Sequence, residues 1–369
     1  MRLFTTTASR SVEAEAAPEY LSYGTERKAA QALLQIVNPS AVARLQAAVQ
    51  EFRPDVVHVH AFAMHLSPSI FAQLRSVPTV VSVHDYKPVC PTGAKLLPDG
   101  SICTDPAGLV CLRQRCTSLP HWLRDRPRYL LLRVGLRSVD RVLTYGVRVQ
   151  RELAGQGIES ELLRLPVRLP GSGFKRAPAD HPLFVFCGRL SPEKGVPLLL
   201  RAFARLLECA PTARLHLVGA GAQRRALEQL AADLTVQHAV SFRGWVTPEQ
   251  LDHELAGAWA LVAPSLHAEP FGLVAVEALV RGVPVVASAT GGFAESVQDG
   301  LTGLLFPNAN ETALVQQLEA IARRRAFPAQ RIPDGELRRV REAHALDRHL
   351  HRLRETYAEA VAASRARHA

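Results

Sequence analysis

Nowhere in the 369 residues does an uninterrupted apolar run approach the roughly eighteen needed to cross a bilayer, and the opening MRLFTTTASR shows no signal-peptide core. The first absence leaves no helical membrane span, and the two together give the expectation of a cytoplasmic protein. Lysine is scarce, standing only at Lys28, Lys87, Lys95, Lys175 and Lys194, so arginine carries nearly all of the positive charge. Part of the isoelectric point near 9.7 is therefore a matter of composition. Low-complexity tracts are missing, and none of the six cysteines forms a Cys-x-x-Cys pair. The formal charge of +10 favours an anionic partner, whether nucleic acid, a lipid surface or a phosphorylated small molecule. A nucleic-acid partner is not expected, because no nucleic-acid module is recognisable and the arginines are spread over many segments.

What is present is a rhythm. Short apolar runs at 55–61, 79–85, 141–145, 183–188, 213–219, 240–244, 260–264 and 284–289 alternate with helix-length segments. Such runs, rich in Val, Leu and Ile, indicate parallel strands covered on both faces, hence an α/β fold. The length allows two cores. The stretch 166–182 carries four prolines and neither period, which places a boundary near 178. The expected domains are 1–178, with a cysteine-rich loop at 86–120, then 179–335, then a C-terminal helix in 336–369 that packs back on the first domain.

The segment from Glu269 to Leu279 sets two carboxylates eight positions apart. Pro270 biases Glu269 toward an extended loop at the carboxyl end of the preceding strand, and a helix should begin near Phe271 or Gly272. Glu277 then shares a face with Leu273, Val276 and Val280, is largely buried, and needs a hydrogen-bonding partner. Strand 183–188 runs into Arg189-Leu-Ser-Pro-Glu-Lys194, where a planar guanidinium and a compact ammonium suit a diphosphate. Loops at the carboxyl ends of parallel strands are where α/β proteins bind ligands.

Four cysteines, Cys90, Cys103, Cys111 and Cys116, cluster in the first-half loop at intervals of 12, 7 and 4 residues. A structural zinc site is one expectation for them and reduced thiols packing the loop is the other. Residues 121–141 interleave Arg124, Arg126, Arg128, Arg133, Arg137 and Arg141 with Trp122, Tyr129 and several leucines. One reading is a basic amphipathic helix lying on an anionic membrane surface, peripheral to the cytoplasmic membrane. The other is a helix whose apolar side faces the core while its arginines are solvated. His58 and His60 share one strand face and read as structural.

GRLSPEKG (188–195), LVGAG (217–221), FRGWV (242–246), PSLHAEPFGLVAVEAL (264–279) and GVPVVASATGGFAESVQDGLTGLLFP (282–307) occur in this order. The pattern resembles the retaining glycosyltransferases of family 4 and covers nearly all of the second half. The resemblance implies the GT-B fold, two Rossmann-like domains with parallel sheets facing across a cleft. It implies a retaining transferase that moves a sugar from a nucleotide diphosphate sugar to an acceptor hydroxyl on a glycolipid, a polysaccharide or a small molecule. It assigns the donor diphosphate to Arg189 and Lys194, and the transferred sugar to Glu269 and His84. The amides of Phe271, Gly272 and Leu273 would face sugar and phosphate, and Glu277 would take the ribose. Gly219 and Val246 complete the donor-binding set. No cofactor is implied. The chain holds no Asp-x-Asp, so no catalytic metal is expected. The start, Met1-Arg-Leu-Phe-Thr-Thr, reads like the family's second strand, so the first βα unit is expected to be missing. Either the true start lies upstream or the product is shortened. A shortened product would make the chain a catalytically impaired nucleotide-sugar-binding protein.

Overall fold

The structure, a computed structural model, describes residues 1–7, 18–25, 27–60 and 66–368. It divides into two compact units. The first comprises Met1–Pro98, Thr104–Leu163 and Leu350–Ala369, and the second Asp99–Cys103 and Arg164–His349. Strands in the first unit are β1 (Phe4–Thr6), β2 (Tyr20–Ser22), β3 (Val57–His60), β4 (Thr79–Val83), β5 (Arg141–Thr144) and β6 (Glu161–Leu162). In the second they are β7 (Leu183–Cys187), β8 (Arg214–Val218), β9 (Val240–Gly244), β10 (Ala260–Ala263), β11 (Val285–Ser288) and β12 (Gly303–Phe306).

The strand pairings among the described residues are all parallel, as the apolar runs require. In the second unit the order is β12-β11-β10-β7-β8-β9. Phe184, Phe186, Leu215 and Leu217 enter one core with Leu199 and Phe203 of the helix Val196–Leu207. Val185 and Leu261 enter the opposite one with Ala275 and Leu279 of the helix Leu273–Leu279. Alternate residues thus go to opposite faces, and each face is covered by helices. Burying a Val, Leu or Phe contributes about 1.5–3 kcal/mol, so neither face of such a strand is stable in water.

The first unit holds a four-stranded sheet, β3-β4-β5-β6, and a separate pair, β1-β2. The run expected at 55–61 yields only Val57–His60, and residue 61 lies outside the described residues. The C-terminal helix Leu346–His368 contributes its last turns to this unit, where Arg367 pairs with Asp140 at 2.7 Å and Arg352 with Glu161 at 2.5 Å. The proline-rich stretch after 163 belongs to the second unit. The Ala177 and Ala179 N–H groups donate to the carbonyls of Ala256 and Gly257.

The four cysteines do not form the zinc site that was one expectation for them. Among the described residues no three His, Cys, Asp or Glu side chains are gathered as a metal requires. Cys90 and Cys111 are buried; Cys90 Sγ lies 3.3 Å from Thr92 Oγ1, and Cys116 Sγ 3.9 Å from the Gln114 carbonyl. A charge pair anchors the loop instead. Lys95, 1% exposed, reaches Glu152 at 2.8 Å and donates to the Asp105 carbonyl at 2.7 Å.

Candidate functional site

In the second sheet the chain starts at β7 and builds outward to β9 on one side, then restarts at β10 and builds to β12 on the other. The reversal lies between β7 and β10. Such a reversal, at the carboxyl ends of the strands, is where open α/β sheets bind ligands. The loop after β7 carries Arg189 and Lys194, and the loop after β10 carries Glu269. Gly195 lets them meet: its φ is +69°, and a Cβ there would lie 2.0 Å from the Pro264 carbonyl oxygen.

Glu269 is 7% exposed, and its Oε1 is the focus of the site. Lys194 Nζ donates to it at 2.5 Å and Ser265 Oγ at 2.7 Å, while His267 Nε2 lies 3.1 Å away. Burial pushes this carboxyl up, but His267 and Lys194 outweigh burial and hold it down, from the ordinary 4.5 to about 2. The sign follows directly. The ionic contribution is complete above the ordinary value and is lost only as pH falls through about 2, so Glu269 stays charged throughout the neutral range.

Glu277 is the opposite case. It lies on the helix Leu273–Leu279, half buried, and burial pushes its carboxyl above the ordinary value although Arg281 pulls it down. Arg281 is committed elsewhere, to Asp252 at 2.5 Å and to the Glu277 carbonyl at 2.7 Å. Among the described residues no group donates a hydrogen bond to the Glu277 carboxylate. Two carboxylates in one site are thus pushed apart, one held ionised and one left wanting donors. Cys187, at the end of β7, is pushed up to about 12 by burial and by Glu277, against the pull of Arg281. Its thiolate fraction at pH 8 is then only ~10⁻⁴. Iodoacetamide should label exposed Cys209 and spare Cys187, and Glu277→Gln should speed labelling of Cys187, as read by peptide mass mapping. Labelling of Cys187 as fast as Cys209 in the unsubstituted protein would contradict this placement.

Arg189 shares the loop but not the cluster. Its side chain is 72% exposed, with Glu193 Oε1 3.7 Å away. Gly219 follows β8 at φ +135°, and a Cβ there would lie 1.9 Å from the Gly188 carbonyl oxygen, so its place is explained by close packing of two loops. Val246 is partly exposed after β9, beside Trp245, whose ring is left 75% exposed. The helix expected to begin near Phe271 or Gly272 begins at Leu273. Gly272 stands before it at φ +70°, the left-handed region, which delays the first turn.

Ser265 and His267 were not anticipated as partners of Glu269, and Thr290 and Asn308 were not anticipated at all. The Oγ1 of Thr290 and the Oδ1 of Asn308 are buried without a partner among the described residues. Asn308 adjoins the cluster, since its Nδ2 donates to the Leu266 carbonyl at 2.8 Å; Thr290 stands two residues before Gly292, whose N–H donates to the Glu269 carbonyl at 2.7 Å. Ser265 and His267 were visible as polar residues in an apolar stretch. Nothing in the sequence marks Asn308.

His84 lies in the first unit, just beyond β4. Burial pushes its imidazole below the ordinary range, against the pull of Asp85. Its Nε2 lies 3.0 Å from His60 Nδ1.

Two α/β units of parallel strands, the second with a strand reversal at which Lys194 meets Glu269, fit the GT-B class. Residues 173–337 match the glycosyl transferases group 1 family and residues 2–168 the glycosyl transferase 4-like domain. The chain belongs to the group 1, family 4-type glycosyltransferases. It is similar to a D-inositol 3-phosphate glycosyltransferase of Frankia alni, 40% identical over 153 residues, 39% of this chain and 37% of that one. It also resembles an uncharacterized glycosyltransferase of Methanocaldococcus jannaschii, 39% identical over 125 residues, 34% of this chain and 32% of that one. The matches span about a third of the length of these relatives. Among solved structures, sucrose-phosphate synthase from Thermosynechococcus elongatus shares the fold with a TM-score of 0.70 at 23% identity, over 95% of this chain and 82% of that one. Anabaena HepE, solved with UDP, gives 0.65 at 19% identity, over 86% and 81%.

Proposed function

We propose that the protein transfers a sugar from a nucleotide diphosphate sugar to an acceptor hydroxyl with retention of anomeric configuration. The observation that carries this reading is the pairing of Lys194 with an ionised, buried Glu269 at the strand reversal, beside a Glu277 that lacks donors. Lys194 and Arg189 would take the diphosphate, and the ribose hydroxyls would supply the donors Glu277 lacks. The sugar would lie against Glu269 and the amides of Phe271, Gly272 and Leu273, and the family resemblance assigns His84 to it as well. Val246 and exposed Trp245 would border the base. The bond from anomeric carbon to phosphate oxygen breaks, the acceptor oxygen bonds on the same face, and its proton passes to the leaving phosphate. Positive charge at Lys194 and Arg189 stabilises that departing diphosphate. Incubation with UDP-glucose and GDP-mannose, following release of UDP or GDP, tests the reading. Saturable binding with no release would favour a nucleotide-sugar-binding protein without catalysis.

An anionic membrane surface is the partner proposed for 121–141, and the acceptor would then be lipid-linked. The helix Leu119–Ser138 buries Arg128, Leu132, Gly135 and Leu136. At about 100° per residue its opposite side carries Leu119, Leu123, Leu130 and Val134, exposed by 55 to 63%. The helix is apolar on two sides rather than one. Arg126, over the Trp122 ring at 4.7 Å, and Arg133 flank the outward strip, where headgroup phosphates would meet them. The protein should co-sediment with phosphatidylglycerol vesicles, less so at high salt, and Leu130→Asp with Val134→Asp should abolish it. Equal recovery on pure phosphatidylcholine, or with the double variant, would contradict the placement.

A further inference from the structure

His60 stands outside the set of residues assigned to donor or acceptor. The parallel register of β3 and β4 sets His60 opposite Ser82 and His58 opposite Val80, so alternate residues of β3 project on the face that also carries His84. Tyr357, His58, His60 and His84 form a column there, flanked by Ser82 and Tyr145. Tyr357, from the C-terminal helix, places its hydroxyl 2.8 Å from His58 Nδ1, and Ser82 Oγ lies 2.8 Å from His58 Nε2. Both ring nitrogens of His58 are thereby fixed. The His60 ring packs against that of His58 with centroids 3.9 Å apart, and His60 Nδ1 meets His84 Nε2 at 3.0 Å. On its other side the His84 ring rests against Tyr145 at 4.9 Å, and the Tyr145 hydroxyl bonds Ser82 at 2.5 Å.

A hydrogen bond between two neutral imidazoles needs one N–H and one lone pair, so the tautomers of the two rings are coupled. A ring whose own orientation is locked can dictate; a loose one cannot. We propose that His60 is a positioning residue, which, backed by His58 and Tyr357, fixes the ring plane and tautomer of His84. This rests on the reading of His84 as the residue that contacts the transferred sugar. Period two in VHVH marked His58 and His60 as sharing a face, but a structural role for both overlooked the neighbour strand, whose register brings His84 beside His60.

Two measurements on the full chain separate this inference from the reading beneath it. Two-bond ¹H–¹⁵N correlation spectra of the His84 ring should show one dominant neutral tautomer in the unsubstituted protein and in His60→Asn, whose side-chain amide can replace Nδ1. His60→Ala should give a mixture. Turnover of UDP-glucose or GDP-mannose should fall about tenfold in kcat in His60→Ala, with little change in KM, and recover in His60→Asn. His60→Ala added to His84→Ala should cost nothing further. An unchanged tautomer pattern in His60→Ala overturns the positioning role, as do additive losses in the double variant. A His84→Ala variant with full turnover removes the reading of His84 itself, while the spectra still report on the contact.

Discussion

Lys194→Ala is expected to lower kcat for sugar transfer by roughly 10²–10³-fold, the cost of removing one group aimed at developing charge. The substitution also deprives a buried carboxylate of its nearest cation, and breaking such a pair can cost about 3–5 kcal/mol. Here Ser265 and His267 remain on Glu269 Oε1, so the loss of stability should be smaller than that range. The double variant Lys194→Ala/Glu269→Gln separates the two effects, because it removes both charges. It should melt closer to the unsubstituted protein than Lys194→Ala does, yet stay as inactive. Full transfer by Lys194→Ala, or recovery of activity together with stability in the double variant, would show that the pair is structural.

Glu277→Gln should give the reverse pattern, weaker ligand binding from a chain at least as stable. A carboxyl whose folded value lies above the ordinary one is penalised by folding once it ionises, and the penalty is fully present above the folded value. At pH 7 glutamine removes that penalty, so the melting temperature without ligand should hold or rise. Two ribose hydroxyls bonded to a carboxylate would be worth about 1.5–3 kcal/mol each, so losing the charge should raise Kd for UDP or GDP at least tenfold. Sites tuned for ligands commonly trade stability in this way. A lower melting temperature with unchanged Kd would make Glu277 an ordinary structural carboxylate.

The second sheet was legible because its central strands β7, β10 and β11 are buried on both faces, and each therefore wrote a continuous apolar run into the chain. The eight anticipated runs all contain strands, and the pairings are parallel. Those that escaped were β2 with three residues, β6 with two, and β12, where GLLF sits inside a longer motif and opens on glycine. Too short for a period, such strands are specified by the neighbours they pair with. Within the site, Lys194 and Glu269 were readable from local context, a cation and a carboxylate each at a strand's carboxyl end. Their direct contact was not, because it depends on β7 and β10 lying side by side although 75 residues separate the two groups. The contact of His60 with His84 was hidden for the same reason, with β4 as the neighbour. The cysteine cluster left two readings open, a metal site or reduced thiols; the described residues gather no metal-binding group, and a buried Lys95–Glu152 pair anchors the loop. Residues 121–141 were read as apolar on one side. The exposed strip opposite the core emerges only once it is known which side the fold buries.

Calorimetric titration of the protein with UDP, GDP and their sugars, in parallel with Lys194→Ala and Glu277→Gln, tests the central claim most directly. Saturable binding of one nucleotide class at a single site, weakened at least tenfold by either substitution, is the predicted result. No binding of any of these ligands, or binding that neither substitution changes, would contradict it.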